Sequence, residues 1–267
     1  MKLERILVGC ALGEGEDEVL QAAGDVARIY GSRVLPVHVL GADGILAPSG
    51  RESESFARER MNALAERARK EGLEVEPPQL LRGKAAAALL EHAERWRASW
   101  IVVGAAARTG WERLLGSSAE TLCRESKIPT LLVPPGGRPT WKKLLCAVDG
   151  SDPALAALTV ASEMARTFTA HLTLLYVQTD GEAHRKAADE VMESLGLHEV
   201  EVDVITRSGS SVPEVIAAAQ QETSADVLVL GTAGRTGLER ILRPNTAESL
   251  LRRLPCALLV APAAAED

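Results

Sequence analysis

Residues 231–262 read "GTAGRTGLERILRPNTAESLLRRLPCALLVAP", and residues 104–135 read "GAAARTGWERLLGSSAETLCRESKIPTLLVPP". Gly104, Arg108, Thr109, Gly110, Glu112, Arg113 and Leu115 match Gly231, Arg235, Thr236, Gly237, Glu239, Arg240 and Leu242 at a constant offset of 127. One residue is then missing from the earlier copy, so Ala119, Glu120 and Leu122 match Ala247, Glu248 and Leu250 at 128. The openings "LERILVGCA" (3–11) and "WKKLLCAVD" (141–149) match as well. Self-similarity this long marks an internal repeat. The chain is one domain written twice, over residues 1–136 and 141–263. The turn-rich "PPGGRPT" at 134–140 joins the copies.

Within each copy apolar strands alternate with amphipathic helices. In the second, strands are predicted at 143–148, 171–177, 200–207, 226–231 and 257–262. Helices are predicted between them at 151–168, 182–196, 211–222 and 245–254. Ser151 or Asp152 caps the first helix, with Pro153 in its first turn. Ser211 and Glu214 have the spacing of a capping box. The stretch 200–207 alternates apolar and polar residues, the pattern of an edge strand with one wetter face. The first copy follows the same order, with a longer segment around 41–60. Strict alternation specifies an α/β fold, here two repeated Rossmann-like domains. Each is a five-stranded parallel sheet with helices on both faces.

Composition agrees. Aromatics are only 3% of the 267 residues, so Leu, Val, Ile and Ala must build the core, as suits buried parallel strands. A net charge of −7 argues against nucleic-acid binding. No apolar run approaches the ~20 residues of a membrane span, and the N-terminus enters a strand without a signal-peptide pattern. The four cysteines form no CxxC pair and the five histidines no i, i+4 pair. These features imply reduced, buried thiols in a cytoplasmic protein, and no metal site built from side chains.

In an open parallel sheet a ligand binds beyond the carboxyl ends of the strands, where strand order reverses. That selects the loops after the first, second and fourth strands of each copy. The fourth loop carries glycines that permit close backbone approach. The helix after it opens with Asn245 and Glu248 in one copy and Ser117 and Glu120 in the other, both in capping-box spacing. Such a helix start suits a phosphate, and Arg235, Arg240 and Arg243 add positive charge. The loop is not a Walker A motif, because no GK[ST] follows the glycines. The same features also fit plain helix caps. "GEGEDE" (13–18) is read as a helix start whose carboxylates would repel phosphate.

"AVDGSDPALAAL" (147–158) followed by "VLGTAGRTGLERILRPNTAESLL" (229–251) resembles the universal stress protein family in its tandem two-domain form, over essentially the whole chain. Single-domain members pair through their last strands, so the tandem form resembles a dimer fused into one chain. The ATP-binding branch shows G-x2-G-x9-G-[ST], an aspartate after the first strand and a valine after the second. Carried over, the resemblance implies ATP held by Ala147, Asp149, Val177, Leu230, Gly231, Gly234, Arg235, Asn245 and Thr246 in the second half. Pro244 stands where the pattern has glycine and removes one backbone donor. In the first half it implies Gly9, Ala11, Val39, Val103, Gly104, Arg108, Gly116, Ser117 and Ser118. There Ala11 replaces the aspartate and Ala107 the second glycine.

Mg²⁺ would be held by the phosphates. No catalytic constellation is evident, so the expectation is a non-enzymatic, nucleotide-binding stress regulator with an unidentified protein partner. A nucleotide-free scaffold and a slow nucleotide hydrolase are the alternatives. The halves form an intramolecular pseudo-dimer, and a further homodimer stays open.

Overall fold

A computed structural model describes residues 2–13, 15–41, 54–105, 117–149, 151–178, 200–209, 211–232 and 256–262. The first half contains β1 (Arg5–Gly9), α1 (Glu16–Tyr30), β2 (Arg33–Leu40), α2 (Glu54–Lys70), β3 (Glu74–Val75), β4 (Gln79–Arg82), α3 (Ala85–Trp96), β5 (Trp100–Gly104), α4 (Ser117–Glu125) and β6 (Thr130–Val133). The second contains β7 (Lys143–Val148), α5 (Asp152–Phe168), β8 (His171–Gln178), β9 (Val202–Ser208), α6 (Val212–Thr223), β10 (Val227–Thr232) and β11 (Ala257–Pro262). The predicted helices at 182–196 and 245–254 lie outside the described residues.

The strands form one sheet in the order β3-β2-β1-β5-β6-β11-β10-β7-β8-β9, with β4 also on β2. Among the described residues pairing is parallel within each half, and the one antiparallel pair, β6 with β11, joins the halves. Leu132, Leu131 and Thr130 face Leu258, Leu259 and Val260 there. The expected α/β fold is therefore borne out, with the last strands forming the joint. The first half departs from five intact strands, because its third is split into β3 and β4. Pro77 and Pro78 interrupt it, and neither has an N–H to donate to the ladder. The edge prediction holds for β9, which ends the sheet and has no fully buried residue.

Side chains alternate across the strands into two apolar layers. Ile6, Val8, Leu144, Cys146, Val227 and Val229 lie on one face with α1, α2 and α5. Leu7, Leu145, Leu228 and Leu230 lie on the other with α3, α4 and α6. Both layers run through the seam, so the halves share their cores. All four cysteines are buried and form no disulfide. Burial pushes the Cys146 and Cys256 thiols up to about 12, which leaves them protonated and unreactive.

Contacts beyond the seam also hold the halves and the linker. The Tyr30 hydroxyl at the end of α1 lies 2.7 Å from Thr167 Oγ1 and donates to Glu163 at 3.3 Å, both on α5. The carboxylate of Asp226, just before β10, gathers the end of the linker. It accepts from Thr140 Oγ1 at 2.6 Å and from the amides of Trp141, Lys142 and Lys143 at 3.0 to 3.2 Å. Trp141 takes a left-handed backbone, φ 56°, to present its amide, and its ring stacks on Phe168 at 4.7 Å. Ser99 fills the same place in the first half, accepting one bond from the Glu4 amide. Asp226→Ala should cost about 2 kcal/mol, since it orphans several donors at once. A thermal melt should show Tm lower by about 5 °C.

Candidate functional site

Each half has the strand order third-second-first-fourth-fifth, so order reverses between β1 and β5 and between β7 and β10. Ten of the residues expected to bind nucleotide lie at those strand ends. In the second half Ala147 and Asp149 end β7, Val177 ends β8, and Leu230 and Gly231 end β10. In the first half Gly9 and Ala11 stand at the end of β1, Val39 at the end of β2, and Val103 and Gly104 at the end of β5. Ser117 and Ser118 open α4, where Ser118 is half-buried and the Ser117 side chain lies outside the described residues. Gly116, Arg108, Gly234, Arg235, Asn245 and Thr246 also lie outside them.

Asp149 is built into the turn that starts α5. Its Oδ1 accepts from the Ser151 amide at 3.1 Å and from Ser151 Oγ at 2.6 Å. Ser151 in turn caps the helix, its Oγ accepting from the Ala154 amide at 3.4 Å. Among the described residues Asp149 Oδ2 accepts no bond, and the side chain is half-exposed at the mouth of the switch point. The arrangement presents one rigidly held acceptor, which suits an amino group on a ligand. At α6 the expected capping box is only half realised. Ser211 is the N-cap residue, but its side chain accepts no bond from the helix. With φ −127° and ψ 105° its backbone is extended there.

Gly231 has a structural reason of its own. A Cβ there would stand 2.0 Å from the Pro153 carbonyl oxygen and 2.7 Å from the Ala154 amide nitrogen. The first turn of α5 thus rests directly on the end of β10, the close helix–strand approach that only glycine permits. At Gly104 a Cβ would meet only Val19 Cγ2, at 3.3 Å. The repeat is symmetric in sequence here and asymmetric in packing.

The difference continues one residue along the helix. The register pairs Arg5–Arg33 and Lys143–His171 show that both halves take the same chain length from the first strand to the second. Glu16 therefore stands where the second half has Ala154. Glu16 is buried, 8% exposed, behind its N-cap Gly15. Its Oε1 has no hydrogen-bond partner among the described residues, and its other oxygen faces Arg60 of α2 at 3.6 Å. Burial raises its pKa, opposed by Arg60 and by the Leu12 amide, with Asp17 adding to the rise. Reading "GEGEDE" as a helix start is borne out by α1, but the sequence reading did not single out Glu16. The signal was there, as a carboxylate opposite an alanine of the other copy.

Glu16 separates two spaces. On the strand side, with Gly9, Cys10, Ala11, Gly104 and Pro135, lies a recess of about 20 Å³. On the outer side, between α1 and α2, is a cleft of about 600 Å³ lined by Asp17, Glu18, Arg60, Leu64 and Arg67 among others. His38 on β2 holds the chain after β1, its Nδ1 donating to the Cys10 carbonyl at 2.7 Å. No group of three or more potential metal-ligating side chains occurs among the described residues.

The universal stress protein family profile matches residues 2–134 and again 140–262. The chain belongs to the universal stress protein family. A universal stress protein of Methanocaldococcus jannaschii is 28% identical over 146 residues, 46% of this chain and 84% of that one. A putative universal stress protein of Staphylococcus aureus strain USA300 is 30% identical over 142 residues, 45% of this chain and 84% of its own. The crystal structure of a universal stress protein from Archaeoglobus fulgidus matches all of this chain and 98% of its own, with TM-score 0.77 and 22% identity. A putative universal stress protein from Pseudomonas aeruginosa gives TM-score 0.71 at 20% identity, covering 97% of this chain and 93% of its own. These two establish the shared tandem fold. Among the described residues no helix is long and apolar enough to cross a membrane.

Two outcomes test this geometry. Gly231→Ala should destabilise the fold by about 3 kcal/mol, because the added methyl strikes backbone, while Gly104→Ala should cost under about 1 kcal/mol. Urea titrations of the two variants give the comparison. Glu16 has a raised folded-state pKa, so the folded chain holds this proton more tightly than the unfolded chain does. Its contribution to stability is therefore most favourable below the ordinary carboxylate value and is lost as pH rises toward the folded one. Glu16→Gln should match the parent near pH 4 and melt higher than it at pH 7.5.

Proposed function

We propose that this universal stress protein binds ATP in its second half and serves a regulatory role in a stress response, with nucleotide occupancy biasing its contacts with a protein partner. The observation that carries the reading is Asp149. It stands at the switch point with Oδ1 fixed by Ser151 and Oδ2 directed to no described residue. Val177, half-buried, lies beside it at the end of β8, and Leu230 is buried at the end of β10. Gly234, Arg235, Asn245 and Thr246 would meet ribose and phosphates, and Mg²⁺ would be held by the phosphates.

When bound, ATP would supply a polyphosphate charge, and the chain's own residues only bind and orient it. Asp149 is engaged by Ser151, which argues against its use as a general base, so the reading is of a binder rather than a hydrolase. One observation favours a nucleotide-free scaffold instead: the packing of Pro153 on Gly231 accounts for that glycine without any ligand.

Calorimetry with Mg·ATP decides between them. The binding reading expects saturable heat, and no heat at millimolar ATP leaves the scaffold. Asp149→Asn keeps an acceptor for Ser151 but turns the second oxygen into a donor. It should weaken ATP about tenfold, which is 1.4 kcal/mol, with Tm unchanged within about 1 °C. An equal fall in Tm and affinity would make Asp149 a structural residue only.

A further inference from the structure

The two halves place different chemistry on the same helix turn. Ala154 brings a methyl and a close-packed backbone against the end of β10. Glu16, its counterpart, brings a carboxylate to the end of β5. The recess left there, about 20 Å³, has room for about one water. Glu16 Oε1 is aimed into buried space with no donor among the described residues. Ala11 offers no acceptor where the second half has Asp149.

The surrounding charge does not offset this. Asp17 and Glu18 stand on the same turn, and among the described residues the nearest cations are already engaged. Arg60 faces Glu16, and Arg67 pairs with Asp17. An anionic ligand entering from the cleft would meet three carboxylates against two arginines that are held by them. Phosphate beside a buried, unpaired carboxylate oxygen is repelled at short range in a poorly solvated space.

We propose that Glu16 closes the first half to nucleotide, so that the chain takes up one nucleotide, in its second half. This rests on the ATP reading given above and assigns Glu16 as the residue that makes the two sites unequal. Replacing it by the residue of the other copy removes both the charge and the bulk.

The test is the stoichiometry of Mg·ATP bound to the full chain, by calorimetry and native mass spectrometry, for the parent and for Glu16→Ala. Glu16→Gln serves as a second variant that keeps the shape and removes only the charge. The parent should bind one nucleotide and Glu16→Ala two, the added site surviving when Asp149→Asn is combined with it. Glu16→Gln should bind the second nucleotide at least tenfold more tightly than the parent does. Two nucleotides on the parent, or one on the parent and still one on Glu16→Ala, would overturn the proposal. Loss of one of two on Glu16→Ala would make the carboxylate an acceptor for the base instead. No nucleotide on the parent and one on Glu16→Ala would support closure while removing the second-half site. No nucleotide on any variant would remove the nucleotide reading and this proposal together.

Discussion

The antiparallel pairing of β6 with β11 is the constraint on which the rest depends. The last strand of each parallel sheet would otherwise be an exposed edge, with a row of unpaired amides and carbonyls. Pairing Thr130, Leu131 and Leu132 with Val260, Leu259 and Leu258 removes both edges at once. It also continues each apolar layer from one half into the other, so neither half has a core of its own that stops at the seam. The Tyr30–Thr167 contact and the capture of the linker by Asp226 then hold an arrangement that the strands have already set.

Once the halves share a core, their switch points are free to diverge without loss of the fold. The second half packs α5 tightly onto Gly231 and holds Asp149 outward through Ser151. The first half relaxes the contact at Gly104 and fills the space with Glu16. The burial of that carboxylate is a local cost, visible as its raised pKa, that a duplicated domain can carry because the other copy remains packed.

The repeat, the strand–helix order and the family were all legible in the chain. They rest on local signals: period-two apolar runs, caps such as Ser151, and a loop string repeated at a fixed offset. The split of the third strand was also written there, in Pro77 and Pro78, though only the register to β2 shows that both pieces still pair with the same strand. The capping box at Ser211 failed because spacing alone does not fix a rotamer. For Gly231, the motif suggested a backbone cleared for a ligand, and the structure shows a helix resting on it.

The sequence by itself determined that this is a tandem α/β protein with its ligand-facing loops after the first, second and fourth strands of each half. Periodicity and repetition are properties of neighbours along the chain, so they can be read without coordinates. Only the tertiary structure decided that Glu16 is buried, that its Oε1 lacks a donor among the described residues, and that Pro153 rather than a ligand is what first requires glycine at 231. Those facts come from the distance between a helix start and the end of a strand far off in the chain, which no local pattern encodes.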